Sequence, residues 1–207
     1  VAFAARVPLT LAALLALVFV WSAVGVHDRF TWYLEAMPVI IAVPLLAVTY
    51  RRFALSGLAY LMVFLHAIVL LIGAHYTYAE VPLFDTLRDM LDLNRNHYDR
   101  VGHIAQGFFP AIIAREILLR LSPLRAGRWL FFLVLCVCLA ISAFYELVEW
   151  WVAVFSGSDA VAFLATQGDP WDTQWDMFLA LSGAIVSQLL LSSVHDRSLA
   201  KLATRAQ

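Results

Sequence analysis

Six runs of about 20 mostly apolar residues, separated by polar connections, leave this chain few ways to fold. A helix needs roughly 20 residues to cross a ~30 Å hydrocarbon layer, and inside that layer the backbone must satisfy its own hydrogen bonds. The runs lie at about Val7 to Val26, Thr31 to Tyr50, Leu55 to Ala74, Val101 to Leu121, Trp129 to Phe155 and Thr173 to Ser193. With 63% hydrophobic and 14% charged residues and a mean hydropathy of +0.82, an ordinary soluble domain is excluded. The expected fold class is all-α, a polytopic membrane helix bundle of about six transmembrane helices in a single domain over residues 1–207. Arg6 and the small residues near the end of the first run imitate a signal peptide, but its length and its place in the alternation below assign it as a retained helix. Pro38 and Pro44 are expected to kink the second helix, which neighbouring helices accommodate in a membrane.

The connections carry the charge, sorted by sign. Arg6, Arg51, Arg52, Arg120, Arg125, Arg128, Arg197, Lys201 and Arg205 fall on alternate connections, and most of the acids fall on the others. Basic residues favour the cytoplasmic side, so both termini are expected there. No basic tract points to nucleic acid, and membrane lipids are the expected surroundings. The longest connection, about His75 to Tyr98, has a helical pattern of its own: Leu83, Leu87, Met90 and Leu91 on one side, Asp85, Arg88, Asp89 and Asp92 on the other. Its acidic face is a poor match for anionic lipid, which predicts a short interfacial helix packed over the bundle as a lid.

Ionisable residues inside apolar helices are costly unless paired, hydrated or metal-bound, so each marks a candidate site. Asp99 and His103 enter the fourth helix one turn apart on one face. Glu146 and Glu149 share a face near the outer end of the fifth, with Ser142 one turn below, and Asp172 and Asp176 open the sixth. A rise of ~1.5 Å per residue sets all six at similar depth under the outer leaflet. One imidazole among carboxylates suits Zn, Mn, Fe, Mg or Ca without choosing among them. The expected site is therefore Asp99, His103, Glu146, Glu149, Asp172 and Asp176 as ligands of a divalent metal, with His103 and Glu146 as the acid-base pair.

Other polar residues have simpler readings. Asp169-Pro170-Trp171-Asp172 has the form of a helix start with Asp169 as N-cap. Glu149 beside Trp150 and Trp151 also fits a place at the headgroup level, and Arg115, Glu116 and Arg120 read as structural ion pairing. His66 reads as a hydrogen-bonded core residue, and Cys136 and Cys138, on opposite sides of one helix, as core residues without a disulfide or metal.

The runs HYTYAEVP (His75 to Pro82), RNHYDRVGHIAQGFFPAIIAREILLR (Arg95 to Arg120), SAFYELVEWW (Ser142 to Trp151) and TQGDPWDTQWDM (Thr166 to Met177) resemble the YjdF-like family of bacterial inner-membrane proteins over roughly Leu55 to Ser193. A more distant similarity is to VanZ-like membrane proteins, whose pattern is matched by Asp99, His103, Ser142, Glu146, Asp176 and Gly183, with Glu149 where that group usually has Gln. The resemblance implies a multi-pass protein of the bacterial inner membrane, and the VanZ-like group implies, by analogy, an envelope role. The leading expectation is a metal or acid-base site acting on a lipid or lipid-linked envelope substrate. The rivals are an ion- or proton-coupled carrier and a structural membrane subunit whose polar residues lock helices together.

Overall fold

The computed structural model describes residues 2–156 and 161–206. The side chains of Arg6 and Arg205, both counted toward orientation, lie outside the described residues. Among the described residues the chain is all-helical: α1 (Ala2–Ala23), α2 (Arg29–Thr49), α3 (Gly57–Tyr76), α4 (Pro82–Leu91), α5 (Tyr98–Leu121), α6 (Arg128–Ser156), α7 (Val161–Leu164) and α8 (Asp172–Ala206), with a single 3-10 turn at Tyr78–Glu80. The sequence supplies the boundaries. Asp28 caps α2 by accepting from the Thr31 N–H at 2.6 Å, and Ser56 caps α3 by accepting from Ala59 at 3.3 Å. Pro82 opens α4, and Asp92 closes it in the left-handed conformation at φ 52°.

The long helices correspond to the apolar runs, with two departures. On length and composition α2, α3, α6 and α8 suffice to cross a membrane, and α1 holds a shorter apolar stretch, Val7–Ala23. Helix α5 breaks the apolar pattern with Asp99, Arg100, Arg115, Glu116 and Arg120, and it is the most enclosed helix, packed by α3, α6 and α8. A helix surrounded by protein need not be apolar on every side. Helix α8 runs past Ser193, where its apolar run ends, to Ala206, because His195 on this extension is fully buried against α5.

Two packed groups are joined through α3 and α5. Leu15, Trp32, Ala36, Val39, Ala67 and Leu71 knit α1, α2 and α3, and Ala111, Leu130, Val134, Cys138 and Ala184 knit α5, α6 and α8. Leu55, Ala59 and Met62 of α3 meet Ile112 of α5 between them. Outside this interior the helices present large apolar side chains, Val48, Leu17, Phe155 and Leu189 among them, as a lipid-facing surface does.

The closest crossing is between α5 and α8. A side-chain carbon on Gly107 would meet the Ala180 carbonyl, and one on Gly183 would meet the Ile104 carbonyl, so both contacts are backbone against backbone. Small residues permit this approach in membranes, and the fully buried Ala111, Ala180 and Ala184 extend it. Asp99 and His103 stand on the turns of α5 just outside this crossing, as Asp176 does on α8.

Helix α4 is the amphipathic segment expected at the interface, but it does not pack as a lid. None of its residues is buried, and Leu83, Met90 and Leu91 remain exposed. Of its polar face only Asp85 is tied to the rest of the protein: it accepts from Asn96 Nδ2 at 3.0 Å and pairs with Arg88 at 2.9 Å, while Asp89 and Asp92 remain exposed. Phe84 packs edge to face on Tyr98, while the other large apolar side chains of the helix are left outward.

Candidate functional site

The loop before α5 and the loop before α8 are stitched together. Gln167 accepts from the Asn96 N–H at 2.9 Å and returns a bond to the Asn96 carbonyl at 2.9 Å. Ala165 and Gln167 hold left-handed backbones, at φ 47° and 49°, a conformation costly for residues with a Cβ. The contacts they secure hold the loops in place: Arg95 reaches across to the Ala165 carbonyl at 3.2 Å, to Asp172 at 2.5 Å and to Asp99 at 3.3 Å. Asp169 pairs with Arg100 at 2.8 Å and accepts from the Trp171 N–H at 2.9 Å. It accepts from the N–H two residues on, as the N-cap reading expects, but the regular helix begins at Asp172 and not at Pro170, so Asp169 caps a turn that leads into α8 and carries an ion pair besides.

Inside this frame the structure brings the three motif stretches to one point. His103 Nε2 lies 3.5 Å from Asp99 Oδ1 on its own helix and 3.7 Å from Asp176 Oδ1 on α8. From α6, Glu146 and Glu149 each offer an oxygen such that, with His103, all ligand atoms lie within 4.8 Å of one another, and Asp99, His103 and Asp176 form a second such group. All but Glu149 are buried. Asp172 falls in neither group, because Arg95 engages it.

The hydrogen bonding of His103 sets its chemistry. Its Nδ1 lies 3.1 Å from the Gln106 amide oxygen, which only accepts, so Nδ1 carries the proton and donates. Nε2 is left facing two carboxylate oxygens, and an unprotonated nitrogen against two acceptors needs a cation between them. That cation is either a second proton on the ring or a metal ion. Asp176 Oδ1 and Glu146 Oε1 are buried and have no hydrogen-bond partner among the described residues, and the same is true of Ser142 Oγ. Carboxylate oxygens gathered around one imidazole could hold a metal ion, with Gln106 and Arg95 bonded to His103 and Asp99 from behind.

A cavity of about 120 Å³ opens beside this group, lined by Asp99, His103, Gln106 and Glu149 and by Tyr78 and Tyr145. Tyr78 is wedged between α3 and α5: a side chain on Gly73 or Gly102 would strike its ring. Burial pushes the Tyr78 hydroxyl well above its ordinary value, so it stays neutral. Glu149 faces the cavity while Trp150 and Trp151 face outward, which separates Glu149 from the aromatic belt that its neighbours suit. His66 also lines the cavity; its Nε2 has no hydrogen-bond partner among the described residues, unlike the hydrogen-bonded core histidine expected.

Sequence reasoning passed over four residues. Arg95, the cation of the loop frame, has most of its partners 70 or more positions away, with only Asp99 near it in sequence, and Gln106 is one uncharged residue in an apolar helix. Glu35, inside the apolar run of α2, gave a signal of the same kind as Glu146. His195 belongs to a second buried cluster at the other end of α5 and α8, where Glu116 accepts from His195 Nε2 at 3.0 Å and from the Ser56 N–H at 2.8 Å and pairs with Arg120 at 2.8 Å. There Arg115 contacts His195 Nδ1 at 2.8 Å and pairs with Asp196 at 2.7 Å. The Glu116–Arg120 pair is the one read from its i, i+4 spacing.

The fold and site define a class: a polytopic helical membrane protein with a buried His/carboxylate cluster where three helices meet. Residues 7–197 match a family model described as "Predicted membrane protein (DUF2238)", and the chain belongs to that family. It is 50% identical over 190 residues to "Inner membrane protein YjdF" of Escherichia coli (strain K12), covering 92% of this chain and 91% of that protein. No solved structure matches it.

Proposed function

We propose that the protein is an inner-membrane, metal-dependent enzyme of the cell envelope, whose outer-leaflet site acts on a lipid or lipid-linked substrate. Six membrane passes with both termini cytoplasmic put the loops around Arg95 and Asp169 outside, and the cluster just beneath them. The observation that carries this reading is the convergence on His103 Nε2 of Asp99 and Asp176 at 3.5 and 3.7 Å, with acceptor atoms of Asp176 and Glu146 unpartnered. Asp99, His103 and Asp176 would hold the metal. Bound there, a divalent cation would supply Lewis-acid stabilisation of developing negative charge on a phosphate or carbonyl oxygen.

The chain's own groups divide the remaining work. Gln106 fixes the His103 ring by accepting a hydrogen bond from its Nδ1–H. Arg95, bonded to both Asp99 and Asp172, holds the α5 acid in place and balances its charge. Glu146, with a free oxygen on the α6 side, is positioned to accept a proton, and Glu149 lines the cavity where a headgroup would enter.

The test is metal content of detergent-purified protein by mass spectrometry, with His103→Ala and Asp176→Asn alongside. Near one divalent metal per chain in the wild type, lost in both folded variants, supports the reading. A metal-free wild type with an intact fold removes the metal. If Glu146→Gln then abolishes proton-coupled flux in proteoliposomes, the carrier takes its place.

A further inference from the structure

The same cavity has a second anionic feature that the His103 cluster does not use. Glu35, on α2, is 2% exposed, lines the cavity, and has no hydrogen-bond partner for either carboxylate oxygen among the described residues. Among the described residues no lysine or arginine lines the cavity, and His103, which does, faces Asp99 and Asp176, so no side chain of the wall is paired with Glu35. A buried, unpaired carboxylate costs several kcal/mol, and a carboxylate kept in that state is ready for a cation from outside.

The surroundings choose the kind of cation. A hard divalent ion wants six or more oxygens, and Glu35 belongs to neither group of ligands around His103. The lining it shares includes Pro38, Leu70, Tyr78, Tyr145 and Phe163, an aromatic and aliphatic surface, with Asp99 and Glu149 as the cavity's other carboxylates. Tyr145 and Phe163 sit edge to face with centroids 6.3 Å apart, which brings α7 up to α6 at this wall. Ring faces attract an ammonium, apolar walls accept its methylenes, and two orphan carboxylate oxygens call for N–H donors. A quaternary ammonium would satisfy the rings and leave those oxygens unmet.

We propose that Glu35, with Tyr78 and Tyr145, forms a subsite for a primary alkylammonium group, as carried by an aminophospholipid headgroup or by a free alkylamine. It rests on the reading that this cavity is the working site, but not on a metal being there. The amine would occupy the Glu35 wall while the reacting part of the same molecule faces His103.

The test is native mass spectrometry of protein from nanodiscs containing equal amounts of phosphatidylethanolamine, phosphatidylcholine and phosphatidylglycerol, followed by titration with ethanolamine. The expected result is at least fivefold preferential retention of phosphatidylethanolamine, reduced to less than twofold in Glu35→Gln and unchanged in His103→Ala, which instead loses metal. Binding of ethanolamine without any lipid preference, abolished in Glu35→Gln, also supports the subsite and identifies a free amine as its ligand. A wild type that neither prefers the amine-bearing lipid nor binds ethanolamine overturns the proposal, whether or not Glu35→Gln folds. So does a preference that survives in folded Glu35→Gln or disappears only in His103→Ala. Metal loss without loss of amine binding separates failure of the metal from failure of the subsite.

Discussion

Replacing Gly107 by alanine tests whether the α5–α8 crossing positions the site. The new methyl carbon would fall well inside contact distance of the Ala180 carbonyl, and the obstacle is backbone, which cannot rotate away as a side chain can. A carbon next to a carbonyl oxygen needs about 3.3 Å, so the helices must part by roughly 1 Å or more at this point. Overpacking of this kind costs about 1–3 kcal/mol. His103 is one turn from Gly107 and Asp176 one turn from Ala180, so the separation is passed directly to the 3.7 Å approach of His103 Nε2 to Asp176. Gly107→Ala should therefore lower thermal stability in detergent and weaken metal retention together, whereas Gly57→Ala, where a side chain would meet nothing, should leave metal retention unchanged. If Gly107→Ala unfolds at the wild-type temperature and keeps its metal, the crossing does not govern the site and the packing argument fails.

Other perturbations separate the remaining contributions. Arg95→Met leaves the buried Asp99 and Asp172 without their shared cation and should cost about 3–5 kcal/mol in chemical denaturation, whereas Asp196→Asn at the half-exposed partner of Arg115 should cost less than about 1 kcal/mol. Asp28→Ala removes the α2 cap and should cost about 1 kcal/mol at pH 7. The Thr31 N–H holds the Asp28 carboxyl below its ordinary value, so this contribution is present above that value and is lost as pH falls through the lower folded one; wild type and variant should converge in melts at acidic pH. Chelation should lower the melting temperature of metal-loaded wild type and leave His103→Ala unmoved, since a ligand at 100 times its dissociation constant stabilises by about 2.7 kcal/mol.

Much of the architecture is legible in the sequence because the bilayer makes severe demands: apolar length alone locates the long helices, and cap residues such as Asp28 and Ser56 mark where two of them begin. The cluster residues were legible for the same reason, since Asp99, His103, Glu146 and Asp176 stand out against apolar neighbours. Residues that act through distant partners were not. Arg95 reads as one more loop arginine until Asp172 is known to lie opposite, and the polar end of α8 reads as a tail until His195 is seen under Glu116. Glu35 did carry a sequence signal, an acid within an apolar helix, but without a companion at helical spacing. Asp172 shows the converse: its spacing from Asp176 implied a shared role, and tertiary pairing with Arg95 gave it a different one.

Helices α5 and α8 touch through backbone near their middle and are fastened by polar groups at both ends, by Asp99, His103 and Asp176 at one and by Glu116, Arg115 and His195 at the other. Along α8 the glycine contact at Gly183 stands about 10 Å from Asp176 and about 18 Å from His195. Two stiff rods pinned at such a point behave as unequal shears. A splay of about 1 Å at the jaws by Asp176 would swing the handles by His195 nearly 2 Å, more than the Glu116–His195 hydrogen bond can stretch. The Glu116–His195 latch therefore holds the jaws at Asp176 at a fixed gauge, and cutting it should loosen a site about 28 Å away without touching any of its residues.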